Sequence, residues 1–314
     1  GGGIYRNRLR KTVYAALIEA EKVTREKGVF IPALMHLDFD MDGLSEYLYQ
    51  GHDINAYVHL SGGVLFELDF LPIPWNYLDT FAPVNARGET ERCRDAAAAP
   101  YARTAFLDHF LPPELSRSVF ESGDYCERGD FIHGEYSVEE YKRDEHRLVL
   151  RRRGELWSDN GSHTVMIKKR YQFSASDMRI HYRIENQDVH SIRTVFAPEL
   201  NLSLSGATFE LQRLTVATGG APRALGSCTY PGSREVTVSD MEHGVDIGVA
   251  FDRSAELWCM PVETELSGGG VLASENGTKA RYQSSCFLPR WLLELAPGSA
   301  WETEITLTLR RRNA

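Results

Sequence analysis

The stretch Ile54-Asn55-Ala56-Tyr57-Val58-His59-Leu60-Ser61-Gly62-Gly63-Val64-Leu65-Phe66-Glu67-Leu68-Asp69-Phe70 decides the architecture. Ile54, Ala56, Val58 and Leu60 alternate with more polar neighbours, Ser61-Gly62-Gly63 supplies a turn, and Val64, Phe66, Leu68 and Phe70 resume the alternation. Successive strand side chains point to opposite faces, so the pattern is that of a β-hairpin. The same period of two returns in Val165-Ile167-Lys169-Tyr171-Phe173, Met178-Ile180-Tyr182-Ile184, Leu200-Leu202-Leu204, Val245-Ile247-Val249-Phe251 and Ile305 to Leu309. Most of these runs are half apolar and half polar, as antiparallel sheets with one wet face require. Many strands with almost no helix between them predict a mainly β fold, a large antiparallel two-sheet β-sandwich.

Upstream the period is different. Leu9, Val13, Ala16, Leu17, Ala20 and Val23 recur at helical spacing, and Glu21 can pair with Arg25 one turn on. This predicts one N-terminal amphipathic α-helix, ended by Gly28 in a left-handed conformation and kept from resuming by Pro32. The expected organisation is a helix over 1–30 followed by a sandwich over 31–314. Residues 86–100, with six charged side chains and then four alanines, fit neither period and read as a mobile surface loop.

Composition excludes several classes. Hydrophobic residues at 42% and charged residues at 25% are globular values. A formal net charge of -9 disfavours a nucleic-acid partner, which needs clustered Lys and Arg. The basic runs Arg151-Arg152-Arg153 and Arg310-Arg311-Arg312 adjoin strand patterns and read as solvated edges. No apolar stretch approaches the roughly 20 residues that span a bilayer, so no membrane partner is expected. The five cysteines, Cys93, Cys126, Cys228, Cys259 and Cys286, are odd in number and lack any CxxC pair. They indicate neither a disulfide framework nor a zinc site, and with no signal-like apolar segment they lead to a cytoplasmic expectation. Opening on Gly1-Gly2-Gly3 without Met, the sequence is expected to be cut from something longer.

The sharpest chemical motif is Asp38-Phe39-Asp40-Met41-Asp42-Gly43-Leu44-Ser45-Glu46. Alternate carboxylates closing on a glycine, with a further acid beyond, can gather hard oxygen ligands: Asp38, Asp40, Asp42 and Glu46 are candidate calcium ligands. The loop is not an EF-hand, because Tyr49 stands where the bidentate Glu is needed. The plainer alternative is an acidic hairpin turn whose Asp side chains cap backbone N–H groups. No cofactor is expected to be required beyond this possible structural calcium. The ten histidines show neither HExxH nor HxH spacing, and no GxSxG, Walker or dinucleotide fingerprint occurs. Trp75, on the constrained segment Pro72-Ile73-Pro74-Trp75-Asn76-Tyr77, is a candidate to stack on a sugar ring.

Several of these segments together resemble glycoside hydrolase family 57, the α-amylase and 4-α-glucanotransferase type. Gly2 to Arg10, followed by Tyr14 and Leu17-Ile18-Glu19-Ala20-Glu21, is similar to the family's GGLYLPHLR…Y..LI.AE segment. Further collinear matches are the acidic turn, Gly62-Gly63 with Phe66-Glu67-Leu68, and Asn76 with Asp79-Thr80. Arg103 to Phe110, Pro198 to Leu202, Trp258 with Pro261, Ser274 to Gly277, and Tyr282-Gln283 complete the series. The chain departs from the family at Arg6-Asn7-Arg8 and at Phe81 to Asn85.

The resemblance implies a galactose mutarotase-like supersandwich attached to a retaining α-glucan enzyme. Its helix would be the remnant of the helical region adjoining the catalytic barrel, and the nucleophilic Glu and acid Asp would lie upstream of Gly1. The implied partners are an α-glucan or maltooligosaccharide and that barrel, with Tyr5 and Arg10 carried over as residues near substrate, beside Trp75 and Asn76. The expected function is thus a non-catalytic domain that braces the barrel and contributes to its glucan cleft. Two alternatives are an autonomous carbohydrate-binding module and an aldose 1-epimerase working by a Glu and a His.

Overall fold

The computed structural model describes residues 7–25, 28–80, 101–158, 161–205, 212–216, 222–265 and 280–312. Tyr5 and the segment 86–100 lie outside them. Helix α1 (Asn7–Lys22) leads into β1 (Ala33–Leu37), β2 (Glu46–Gln50), β3 (Ile54–His59), β4 (Val64–Phe70), β5 (Trp75–Asn76) and β6 (Ala105–Leu111). A short helix α2 (Arg117–Ser122) precedes β7 (Ser137–Lys142), β8 (Arg147–Ser158), β9 (Gly161–Phe173), β10 (Asp177–Asn186) and β11 (Ile192–Leu202). The chain ends through β12 (Gln212–Val216), β13 (Arg223–Ala224), β14 (Cys228–Asp240), β15 (Val245–Glu265), β16 (Ala280–Leu295) and β17 (Ala300–Arg311).

Every pairing among the described strands is antiparallel. One layer runs β1, β2, β3, β4, β6, β11, β16, and the other runs β7, β8, β9, β10, β17. Strand β15 joins them: Val245 to Phe251 pairs with β17, and Glu256 to Glu265 pairs with β16. The expected hairpin is present, with a bulge where Tyr57 faces Glu67 and Val58 faces Leu65. Gly62 and Gly63 turn it at φ 71° and 56°. A Cβ on Gly63 would meet the Tyr136 ring at 3.0 Å, so both the backbone conformation and that ring oppose a side chain there.

The main core fills the space between the layers, drawing Leu65 and Leu68 from one and Ile167, Ile180 and Ile305 from the other. A second cluster lies outside the first layer, where Phe120 of α2 packs with Leu111, Val195, Trp258 and Leu288. This extra cover explains why β6 is buried at every position. Such a strand loses its period of two and is not recognisable by alternation.

Two charges cross the interior. Lys169 of β9 and Asp108 of β6 are both fully buried, with Nζ 2.8 Å from Oδ2. Lys169 also donates to the carbonyls of Gly63 at 2.9 Å and Phe106 at 2.7 Å. Tyr136 donates to Asp108 Oδ2 at 2.6 Å, and the Tyr136 and Tyr182 rings flank the ammonium at 5.3 Å. Burial drives Asp108 up and Lys169 down, while their mutual attraction opposes both shifts.

Among the described residues no helix is long and apolar enough to cross a membrane. Cys126 is disulfide-bonded, whereas Cys228, Cys259 and Cys286 are free. This corrects the expectation of no disulfide: pairing follows proximity in the fold, which cysteine spacing does not report.

Removing one member of a fully buried pair leaves an uncompensated charge, at about 3–5 kcal/mol. Lys169→Ala should lower urea-unfolding stability by that order. Arg151→Ala, at an exposed position of β8, should stay within about 0.5 kcal/mol of the parent. Equal small losses for both would show that the pair does not hold the layers together.

Candidate functional site

Of the residues singled out in the sequence, Arg10, Trp75 and Asn76 meet where α1 lies on the sandwich. Arg10 and Lys11 point inward from α1, and Trp75 and Asn76 form the short β5 behind Pro72 and Pro74. Arg10 Nε donates to Asp79 Oδ1 at 2.8 Å and Arg10 Nη2 to Gln283 Oε1 at 3.1 Å. Lys11, 4% exposed, donates to the Asn76 carbonyl and sits 3.6 Å from Asp79 Oδ2. Burial pushes its amine down to about 7 against the pull of Asp79. Its Nζ lies 4.7 Å over the Trp75 ring, which His243 meets edge-on at 4.2 Å. Trp75 Nε1 donates to the Ser203 carbonyl at 3.0 Å. The indole is therefore engaged by its own chain, and Asn76, 1% exposed, spends Oδ1 on the backbone N–H of Leu78 at 2.7 Å. In this arrangement both residues anchor α1.

Farther along the helix a second polar group continues the contact. The expected pair forms, with Arg25 Nη2 2.6 Å from Glu21 Oε1. Gln50 and Asn55, from β2 and β3, donate to the same carboxylate at 3.0 and 2.8 Å. Asn55 also donates to Asp69 Oδ2 at 3.1 Å. Glu67 and Asp69, two residues apart on β4, share one face. Burial pushes both carboxyls up, Glu67 to about 9 with the neighbouring Asp69 adding to the rise. Tyr14 is pushed up to about 12 by burial and by these acids.

The Glu and His that an epimerase would need come together, but in a closed form. His109 Nδ1 lies 2.7 Å from Glu127 Oε2 and its Nε2 lies 2.9 Å from Glu199 Oε2. Arg103, Tyr101 and Asn201 all donate to Glu199. Burial opposes charge on His109, yet the two carboxylates hold its pKa up to about 10. Burial likewise opposes charge on Glu199, and Arg103 and His109 hold it down to about 2. His109 and Glu199 are both 0% exposed, so this pair offers a sugar neither a free lone pair nor a path of entry.

Asp38, Asp40, Asp42 and Glu46 occupy the β1–β2 turn. Asp40, Asp42 and Glu46 gather there with His59, which spacing alone did not flag. His163, Asp188 and His190 also converge, between the β8–β9 and β10–β11 turns. A cavity of about 610 Å³ opens elsewhere, over Trp291 and Trp301 with Arg253 and Arg290.

Glu67 sets a pH dependence. Its folded pKa is raised, so between the ordinary Glu range and about 9 the folded chain holds more protons than the unfolded one, and stability falls as pH rises through that window. Glu67→Gln should remove that component, raising the urea midpoint at pH 8 more than at pH 5. A wild-type slope retained in the variant would place the titration elsewhere.

Residues 93–305 match the family model for the α-amylase/4-α-glucanotransferase C-terminal domain. A 4-α-glucanotransferase of Thermococcus kodakarensis is 24% identical over 295 residues, covering 84% of this chain and 39% of its own. The crystal structure of the 4-α-glucanotransferase of Thermococcus litoralis superposes with a TM-score of 0.73 at 22% identity, over 99% of this chain and 43% of that one. A galactose mutarotase-like protein of Clostridium acetobutylicum gives a TM-score of 0.56 at 9% identity, over 88% of this chain and 98% of its own. These structural likenesses establish the supersandwich fold. The chain spans about two fifths of the length of the curated relatives it matches.

Proposed function

The chain belongs to the α-amylase/4-α-glucanotransferase C-terminal family, and on that premise we propose that it is the non-catalytic sandwich of an α-glucan-acting enzyme, bracing the catalytic barrel through α1 and forming part of the wall of its glucan cleft. The observation that carries this reading is the inverted helix. Lys11 and Ile18 are buried against the sandwich, and Arg10, Tyr14, Glu21 and Arg25 are partly covered there. The apolar stripe faces outward, with Leu9 50%, Val13 60%, Leu17 61% and Val23 82% exposed. Ala16 and Ala20 are exposed on the same side.

A helix normally buries such a stripe, and one left open marks a contact surface. The relatives carry more than twice the length of this chain, so the partner of the stripe is the remainder of such an enzyme. The two sides of α1 then have separate tasks. Charged groups fix it to the sandwich, and the apolar face seats the assembly on the barrel. The glucan contact rests on the family resemblance, which carries Arg10 over as a residue near substrate; Arg10 is bonded to Asp79 where α1 meets the sandwich. Within the family resemblance the acid and nucleophile belong to the barrel, so this domain supplies position and not chemistry.

The autonomous-module reading is weakened by the engagement of Trp75, and migration in glycogen-containing gels tests it: a bracing domain should not be retarded. Val13→Lys with Leu17→Lys supplies the direct test. In an enzyme of the relatives' full length, the pair should lower the melting temperature and cut activity on maltooligosaccharides by tenfold or more. In the present chain alone it should leave the melting temperature unchanged. Unaltered activity and melting of the full-length variant would overturn the bracing role.

A further inference from the structure

His163, Asp188 and His190 bring one donor atom each to within 4.8 Å of one another. His163 stands near the start of β9, and Asp188 and His190 lie on the turn between β10 and β11. Those two strands belong to different layers, so this turn carries the chain across the edge of the sandwich.

The turn is fixed from below. Asn186, fully buried, accepts the backbone N–H of Asp188 at 2.9 Å and donates to the carbonyls of His190 at 2.8 Å and Leu295 at 2.9 Å. The N–H of Gln187 donates to the Thr164 carbonyl at 3.0 Å, which ties the turn to β9 one residue from His163. Asp188 Oδ1 accepts from the backbone N–H of His190 at 2.9 Å and lies 3.0 Å from its Nδ1.

The unmet group is on His163. Its side chain is 8% exposed, and Nδ1 is a buried atom with no hydrogen-bond partner among the described residues. Ser158 Oγ donates to the Gly161 carbonyl at 3.4 Å and so meets His163 Nε2, 2.9 Å away, as an acceptor. That contact puts the ring proton on Nε2 and leaves a lone pair on Nδ1. The lone pair stands 3.7 Å from Asp188 Oδ1, beyond hydrogen-bond length. Two electron-rich atoms so placed repel, and a cation between them turns the repulsion into attraction.

We propose that His163 Nδ1, Asp188 Oδ1 and His190 Nδ1 form a site for a divalent transition-metal ion of the zinc type. Two imidazoles and one carboxylate suit a borderline cation, whereas calcium and magnesium take oxygen ligands. Zinc bonds of about 2.0–2.1 Å place two ligands of a tetrahedral ion roughly 3.3 Å apart. The separations of 3.0 and 3.7 Å bracket that value, so small rotations of the rings complete the site. Ser158 then orients a metal-bound imidazole through its other nitrogen. Three protein ligands leave the fourth position to water. His190, 74% exposed, sets the site at the surface, where an ion can enter. The bound ion would clasp β9 to the crossing between the layers.

The test uses the chain after chelator treatment and desalting, titrated with zinc chloride by calorimetry and followed by thermal melting. Wild type should bind zinc and melt at a higher temperature with it, with no comparable shift from the same concentration of magnesium. His190→Ala, at an exposed position, and Asp188→Asn, which keeps an acceptor for the His190 N–H, should fold normally by circular dichroism. Each should lose at least tenfold in zinc affinity. Ser158→Ala should lose about tenfold with all three ligands in place. His52→Ala, which removes an exposed histidine outside the cluster, should bind as wild type does. Absence of zinc heat and of a melting shift in wild type would overturn the proposal. So would equal affinity in wild type, His190→Ala and Asp188→Asn, or a loss in His52→Ala as large as in His190→Ala, because either would mean nonspecific binding to surface groups.

Discussion

An ion pair between two fully buried side chains, Lys169 and Asp108, links the two layers of this sandwich. Apolar packing is non-directional and would tolerate sliding of one sheet over the other. Lys169 and Asp108 do not tolerate it, since each must find the other and its carbonyl or hydroxyl partners, or else remain charged in a medium that cannot solvate it. The contact reaches into the local structure of both layers. The Gly62-Gly63 turn presents a carbonyl to the ammonium, and Phe106 adopts a positive φ of 65° while its carbonyl bonds to the same group. Tyr136 and Tyr171 close the surrounding space with hydroxyls bonded to Asp108 and to Gly63.

The sandwich so fixed serves as a base for one helix. The contact between them is mostly polar, an uncommon choice for a helix that carries a clear apolar stripe. The choice makes sense if that stripe has another partner, because a helix with two buried sides needs two distinct recognition surfaces. Charge and hydrogen bonding give the sandwich side its specificity through Arg10, Lys11, Glu21 and Arg25. The hydrophobic effect is left for the far side.

The fold is shared with mutarotase-like proteins, and the interior of this chain shows why fold alone does not carry function. An imidazole between two carboxylates could serve acid-base chemistry if substrate reached it. Here Arg103, Tyr101 and Asn201 occupy the remaining valences of Glu199, and His109 is held as a cation. What could be a catalytic pair has become a structural network.

Local alternation was legible wherever a strand keeps one dry face, so the hairpin at 54–70, the runs at 165–173 and 178–184, and the closing strand could be read directly. The N-terminal helix was equally clear from its spacing, and its pairing of Glu21 with Arg25 followed from positions one turn apart, but its end was not: α1 stops at Lys22, and Gly28, read as its terminator, takes its left-handed conformation beyond the helix. Strands buried on both faces, β6 above all, were hidden because a second layer of cover erases the period that marks a strand. The acidic turn announced its carboxylates, but His59, at the end of another strand, entered only through folding. Sequence by itself determined the element types and the antiparallel sandwich, because those depend on neighbours a few residues apart. Which face of the helix is buried, which cysteine is bonded, and which charges meet across the core were decided only by tertiary structure, because they depend on contacts between positions tens to hundreds of residues apart.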